Sequence, residues 1–198
     1  MIESYLRPRY QKAFVDPVAK KVSNFLSPNF VTFVACLCGI AVFPAVYFQQ
    51  YGAACFILLL SGYFDTLDGT IARLKGDTSP TGSVFDITAD RIVELVVIFS
   101  LLYVDPISRA IPAFWMLGSI LLCVTAFLVV GIFSENTSNK GFFYSQGIME
   151  RVEAFAFFIL MLLYPEWFST LAWIFSSLVI LTAFIHVFCF WKASKTAD

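Results

Sequence analysis

The chain has 198 residues, of which 59% are apolar, 18% aromatic and 14% charged, with a net charge of −1. So apolar a composition excludes an ordinary soluble domain; the net charge by itself says nothing about partners, and no nucleic-acid partner is expected. The five cysteines, Cys36, Cys38, Cys55, Cys123 and Cys189, all lie inside apolar runs and imply neither a disulfide framework nor a zinc site.

Residues 1–27 interleave Arg7, Arg9, Lys12, Lys20 and Lys21 with Tyr5, Leu6, Tyr10, Phe14, Val15, Val18 and Val22 at three-to-four-residue spacing. That pattern predicts an amphipathic juxtamembrane helix lying in the interface, its cations near lipid phosphates. Pro28-Asn29 closes it, and one helical transmembrane domain, 28–198, follows. Residues 22–64 carry no charge, which is enough for two crossings at ~20 residues each. Six spans are predicted, at about 30–49, 52–74, 82–104, 110–133, 146–164 and 168–191. Gln49-Gln50-Tyr51-Gly52 is a tight link, residues 75–81 a polar loop, and Pro106 to Pro112 a short link that leaves Asp105 and Arg109 in solvent. Nearly all cations outside the helices fall on the N-terminal segment, the 75–81 and 134–147 loops and the tail. Both termini are therefore expected in the cytoplasm. The fold class is an all-α integral membrane protein with an interfacial N-terminal helix.

Four aspartates interrupt this apolar chain: Asp65-x-x-Asp68-Gly69-x-x-Ala72-Arg73, then Gly82-x-x-x-Asp86-x-x-x-Asp90. Carboxylates near hydrocarbon are expensive and mark function. At ~100° per residue, Asp65, Asp68, Gly69, Ala72 and Arg73 share one stripe, and Gly82, Asp86 and Asp90 share a face of the next helix. A short loop joins the two helices, so they are expected to be antiparallel neighbours whose four acids converge. Four like charges repel in a low dielectric, and divalent cations relieve that. Oxygen ligands with no nearby His or Cys favour Mg²⁺, Mn²⁺ or Ca²⁺, and two such ions suit an in-line attack at phosphorus. Gly69, Ala72 and Gly82 leave room beside the acids, and Arg73 offers a forked donor to a phosphate. The same small residues also suit close helix packing, and the same acids would suit a cation or proton path in a transporter. A site about nine residues from the cytoplasmic end of its helix is shallow, which favours a water-soluble substrate.

These positions resemble the complete motif of the CDP-alcohol phosphotransferases, here Asp65-x2-Asp68-Gly69-x2-Ala72-Arg73-x8-Gly82-x3-Asp86-x3-Asp90. The hydropathy, the amphipathic start and Pro28-Asn29-x-x-Thr32 extend the likeness over most of the chain. The resemblance implies a membrane enzyme that transfers a phosphatidyl group from CDP-diacylglycerol to a small polar alcohol from the cytosol, releasing CMP. Transfer of a phosphocholine or phosphoethanolamine group to diacylglycerol is the alternative within the family. It implies two Mg²⁺ or Mn²⁺ ions on Asp65, Asp68 and Asp86, with Asp90 as shared ligand and general base. The donor would be held by Asp65, Gly69, Ala72, Arg73 and Gly82 together with Asn29 and Thr32. It also implies a homodimer in the cytoplasmic membrane with its active site facing the cytosol.

The acceptor is open among glycerol 3-phosphate, serine, inositol and inositol phosphate. Its candidate ligands are Glu94, one turn beyond Asp90, with Glu150 and Arg151 at the start of the fifth span and Lys140 in the loop before it. Arg91 is a further candidate. Glu94 could instead brace Arg91, and Glu150, Arg151 and Glu153 could form an ion pair at a helix start. The element Gly147-x-x-Glu150-Arg151 resembles the inositol-phosphate branch of the family, but the arginine-rich loop which that resemblance implies before the fifth span is missing, which argues against an inositol phosphate acceptor.

Overall fold

In the computed structural model of the chain, the described residues are 10–76, 79–134 and 147–195; they are helical, with no strand among them. A π-helical turn, Gln11–Val15, runs into α1, Asp16–Val22. Then come α2, Pro28–Tyr47; α3, Tyr51–Lys75; α4, Pro80–Val104; α5, Pro106–Phe133; α6, Arg151–Leu163; and α7, Phe168–Lys195. Four are long and apolar enough to cross a bilayer: α2, α3, α5 and the 165–195 stretch that contains α7. The other two expected spans do not meet that criterion. The first half of α4 carries Asp86, Asp90, Arg91 and Glu94, and α6 has 13 residues, ~20 Å at ~1.5 Å per residue.

The helix starts share one local grammar. The hydroxyl of Ser27 accepts the amide of Phe30 at 3.3 Å, that of Ser79 accepts the amide of Gly82 at 3.1 Å, and the carboxylate of Asp105 accepts the amide of Ser108 at 3.2 Å. Each cap precedes a proline in the first turn, where its missing N–H is not needed. The Ser108 hydroxyl and amide also hold the Asp105 carboxyl below the usual carboxylate range. Helix α3 stops at Gly76, whose φ of +64° is the left-handed C-cap conformation that glycine adopts without strain.

Two expected boundaries are corrected. The link from Pro106 to Pro112 is helical: α5 begins at Pro106 and runs through both Arg109 and Pro112. Arg109 is buried, not solvated. It donates to the carbonyl of Leu101 at 2.8 Å and to that of Pro165, and its Cζ lies 4.7 Å from the centre of the Phe168 ring. The fifth helix starts at Arg151 rather than near 146. The amide of Met149 donates to the Thr182 hydroxyl at 2.9 Å, so α7 rather than a helical turn satisfies the Met149 amide.

Helix α2 is the backbone of the site. It packs along both α3 and α4, while α5 packs along α7 and α6 touches α3, α4 and α7. At Gly39 the α2 backbone meets Val93 of α4 so closely that a Cβ would overlap that side chain. The Ser61 hydroxyl donates to the carbonyl of Ala35 at 2.8 Å and ties α3 to α2. Val42, Leu58, Val97, Met116, Phe158 and Phe175 mark a continuous apolar core through α2–α7. A smaller cluster of Val15, Ala19, Val31, Leu67 and Ile71 seats the N-terminal turn and α1 on α2 and α3. The two motif helices, α3 and α4, scarcely touch each other. The expectation that they pack as direct neighbours is replaced by two helices held side by side on a third, which leaves space between them.

Candidate active site

The carboxylates of α3 and α4 turn into that space. Oxygens of Asp65, Asp68 and Asp86 all lie within 4.8 Å of one another. Asp90 is reached differently. The guanidinium of Arg151, at the first residue of α6, donates to its two oxygens at 2.5 and 3.0 Å and also lies 2.6 Å from Asp65 Oδ2. Asp68 therefore sits near Asp86 and Asp65 is bridged to Asp90, the pairing of an antiparallel register. The four acids expected to converge are three acids plus a fourth across an arginine.

Asp68 is buried, and its Oδ2 accepts the hydroxyl of Thr32 at 2.5 Å. Asp86 Oδ1 is buried with no hydrogen-bond partner among the described residues. A carboxylate oxygen left bare beside two more carboxylates is unfavourable in so apolar a setting unless a cation joins it. The donors are all hard oxygens, so the trio fits Mg²⁺ or Mn²⁺ rather than zinc.

Two clefts open from this cluster. The first, of ≈ 580 Å³ with its open mouth included, is lined by Asp68 and Asp86 and by Asn29, Thr32, Gly69, Ala72, Arg73 and Gly82. Every residue expected to hold the donor lines it except Asp65, which lies deeper. At Gly82 an added Cβ would sit 3.2 Å from Ser79 Oγ and 3.4 Å from Asn29 Oδ1, closing the gap between α2 and α4. Arg73 Nη2 donates to the Thr70 hydroxyl at 3.0 Å, and Gln11 Nε2 donates to the same oxygen at 3.4 Å. Pro28, Ser79 and Ser83 complete the wall, unforeseen although their Ser-Pro capping signals place the N-termini of α2 and α4 here. Two helix N-termini and one arginine on a cleft make a setting for an anion.

The second cleft, of ≈ 520 Å³, is lined by Asp90, Arg91 and Glu94 of α4, with Glu150 and Arg151 opposite. Arg91 Nη1 is 2.8 Å from Glu94 Oε2, the bracing contact that the sequence offered as an alternative. Lys140 lies outside the described residues. Ile120 and Val124 of α5 and Phe175 and Val179 of α7 form an apolar wall, which no local sequence signal announced.

Fold and site together define a helical membrane protein with a carboxylate cluster set between an anion-ready cleft and a second polar cleft. Residues 25–191 match the family model of the CDP-alcohol phosphatidyltransferases. The chain is 28% identical over 194 residues to the inner membrane protein YnjF of Escherichia coli K12, covering 94% of each. It is 29% identical over 146 residues to the phosphatidylinositol phosphate synthase of Corynebacterium glutamicum, covering 72% of this chain and 65% of that one. The fold is shared with the Mycobacterium tuberculosis phosphatidylinositol phosphate synthase at 20% identity. The TM-score is 0.72 for its complex with manganese and citrate, covering 90% of this chain and 89% of that one, and 0.71 with CDP-DAG bound, covering 90% and 94%. The chain belongs to the CDP-alcohol phosphatidyltransferase family, and it is a phospholipid-synthesis transferase.

Proposed function

We propose that the chain transfers the phosphatidyl group of CDP-diacylglycerol to a small polar alcohol, with CMP as the other product. The observation that carries this is the meeting of the two clefts at the carboxylates: Asp86 lines the first and Asp90, one turn on, lines the second. A donor in one and an acceptor in the other would face each other across the acids.

The cytidine diphosphate enters the first cleft. Its phosphates lie toward Arg73 and the N-termini of α2 and α4, and Gly69, Ala72 and Gly82 leave width for the nucleotide. Asp65, Asp68 and Asp86, with Asp90 shared, would hold two Mg²⁺ or Mn²⁺ ions, which when bound offset charge on the pyrophosphate and on departing CMP. Thr32 fixes the Asp68 carboxylate by its short hydrogen bond. From the second cleft, the acceptor hydroxyl gives its proton to Asp90 as its oxygen bonds to the lipid-linked phosphorus. The bond from that phosphorus to the CMP oxygen breaks, and CMP carries away the electron pair. Arg151 holds both oxygens of Asp90 and so orients the base.

The distribution of basic residues supports a site at the cytosolic boundary of the cytoplasmic membrane, with both termini on that side. In this reading α4 and α6 complete six crossings, the N-terminal turn and α1 lie in the interface, and the working unit is a homodimer. The test is CMP release from CDP-diacylglycerol by the purified protein in Mg²⁺ or Mn²⁺, with glycerol 3-phosphate, serine, inositol or inositol phosphate as acceptor. Metal-dependent CMP, abolished by EDTA, is expected with one class of acceptor; none with any of them would remove the reading.

A further inference from the structure

We propose that Thr70 and Gln11 are positioning residues for Arg73, and that through them the N-terminal turn sets the affinity of the first cleft for the diphosphate of its donor. The inference rests on the phosphatidyl-transfer reading above. Arg73 faces that cleft from the last turn of α3. Its guanidinium is anchored on one side: Nη2 donates to the Thr70 hydroxyl at 3.0 Å, while Nη1 lies 3.6 Å from where a Cβ at Gly69 would stand, over the cleft wall. Thr70 is buried, and its hydroxyl donates its only proton to the carbonyl of Thr66 at 2.9 Å. The oxygen therefore meets Arg73 as an acceptor. Gln11, 59 positions earlier in the chain, donates Nε2 to the same oxygen at 3.4 Å.

A helical threonine divides between two χ1 states, and an amide donor from outside the helix favours the state whose oxygen meets it. Gln11 can do this because the turn that carries it is itself seated. Val15 and Ala19 are fully buried against Val31, Leu67 and Ile71, and the Tyr63 hydroxyl donates to the carbonyl of Phe14 at 3.3 Å. Lys75 Nζ donates to the carbonyl of Leu26 at 2.9 Å and ties the far end of the segment to α3. An arginine fixed before its ligand arrives loses less rotamer freedom on gripping a phosphate. The effect falls on binding of the donor, which Arg73 grips, more than on proton transfer at Asp90, which lines the other cleft.

The test measures the Kd of CDP-diacylglycerol in detergent micelles with Mn²⁺ and no acceptor. Beside it stand kcat and donor KM for CMP release, with whichever of glycerol 3-phosphate, serine, inositol or inositol phosphate the unaltered protein uses. Thr70→Val should raise donor Kd and KM about three- to tenfold with kcat nearly unchanged, and Thr70→Ser should restore most of the affinity. Gln11→Ala, which removes the longer bond, should raise both about two- to threefold. In an Arg73→Ala background the same substitutions should change nothing further, the signature of residues that act through Arg73. A donor Kd that stays put in Thr70→Val or in Gln11→Ala overturns the inference and leaves phosphatidyl transfer standing. So does a loss of affinity that is as large without Arg73 as with it. Should Thr70→Val fail to fold, the cycle of Gln11→Ala and Arg73→Ala decides alone. No CMP from the unaltered protein with any acceptor removes the transfer reading and this inference with it.

Discussion

The two ends of the bundle each hold an arginine near a phenylalanine ring, Arg109 buried and Arg151 half-buried, and they hold it differently. At the α4–α5 turn, Arg109 donates to two backbone carbonyls, fixed and neutral, with Phe168 beneath it. At the motif end, Arg151 grips two side-chain carboxylates, with its Cζ 5.7 Å from the Phe155 ring. The first arrangement has one partner set and nothing to exchange, so it fastens the ends of α4, α5 and α7. The second couples a cation to acids that also suit metal ions, beside clefts on either side. A buried charge with backbone partners is a brace, and a half-buried charge with titratable partners beside a cavity is a site.

Substitutions at the motif end should therefore remove activity without unfolding the protein, and those at the far end the reverse. The largest effect is expected for Asp90→Asn: a fall in kcat of about 10²- to 10⁴-fold, the usual worth of a general base, with binding of CDP-diacylglycerol retained in a lipid-binding assay. Near-normal turnover in that variant would remove the base assignment. EDTA should be as severe and, unlike the mutation, reversible by added Mn²⁺.

Arg151→Ala comes next. If Arg151 orients Asp90, kcat drops roughly 10- to 100-fold at constant donor KM, and Arg151→Lys restores part of it, since one ammonium cannot reproduce the two-pronged grip. A change confined to stability would make Arg151 a second Arg109. Thr32→Val is expected to cost about tenfold in turnover, because it deletes a charge-assisted hydrogen bond that holds a candidate metal ligand. It should also raise the Mn²⁺ concentration needed for half-maximal rate.

Arg109→Leu sharpens the contrast from the other side. It leaves the Leu101 carbonyl without its donor, at about 1–3 kcal/mol, takes one of two donors from the Pro165 carbonyl, and should lower the melting temperature in detergent by roughly 5–10 °C. The KM for either substrate should not move. An equal loss of kcat at temperatures well below melting would show that the two ends are coupled.

What could be read in the sequence follows the same division. The first cleft is legible because most of its residues fall on two helices consecutive in the chain, at spacings that fix one face each, with capping signals in front. Asn29 and Thr32 are the distant members, and they lie on the one helix that supports both. The second cleft was only partly legible. Glu94, Glu150 and Arg151 stood out as charges in apolar runs, but the grip of Arg151 on Asp65 spans 86 positions and has no local pattern. Phe175 and Val179 look like any core residues until the fold brings them to the cleft that α4 also lines. Arg109 misled for a physical reason: prolines at 106 and 112 read as punctuation, and carbonyl acceptors belong to every residue, so no side chain announces them. The short α6 was missed because its first turn is replaced by a bond to Thr182, which only the fold brings near.

Since α3 and α4 each lean on α2 and barely on one another, the breadth of the reaction chamber is gauged by a third helix that supplies none of its acids. Gly39 against Val93 is a point of close approach in that gauge. Adding one methyl group there would splay the aspartate rows apart, so the spacing needed for phosphorus chemistry is written in a residue that never meets a substrate.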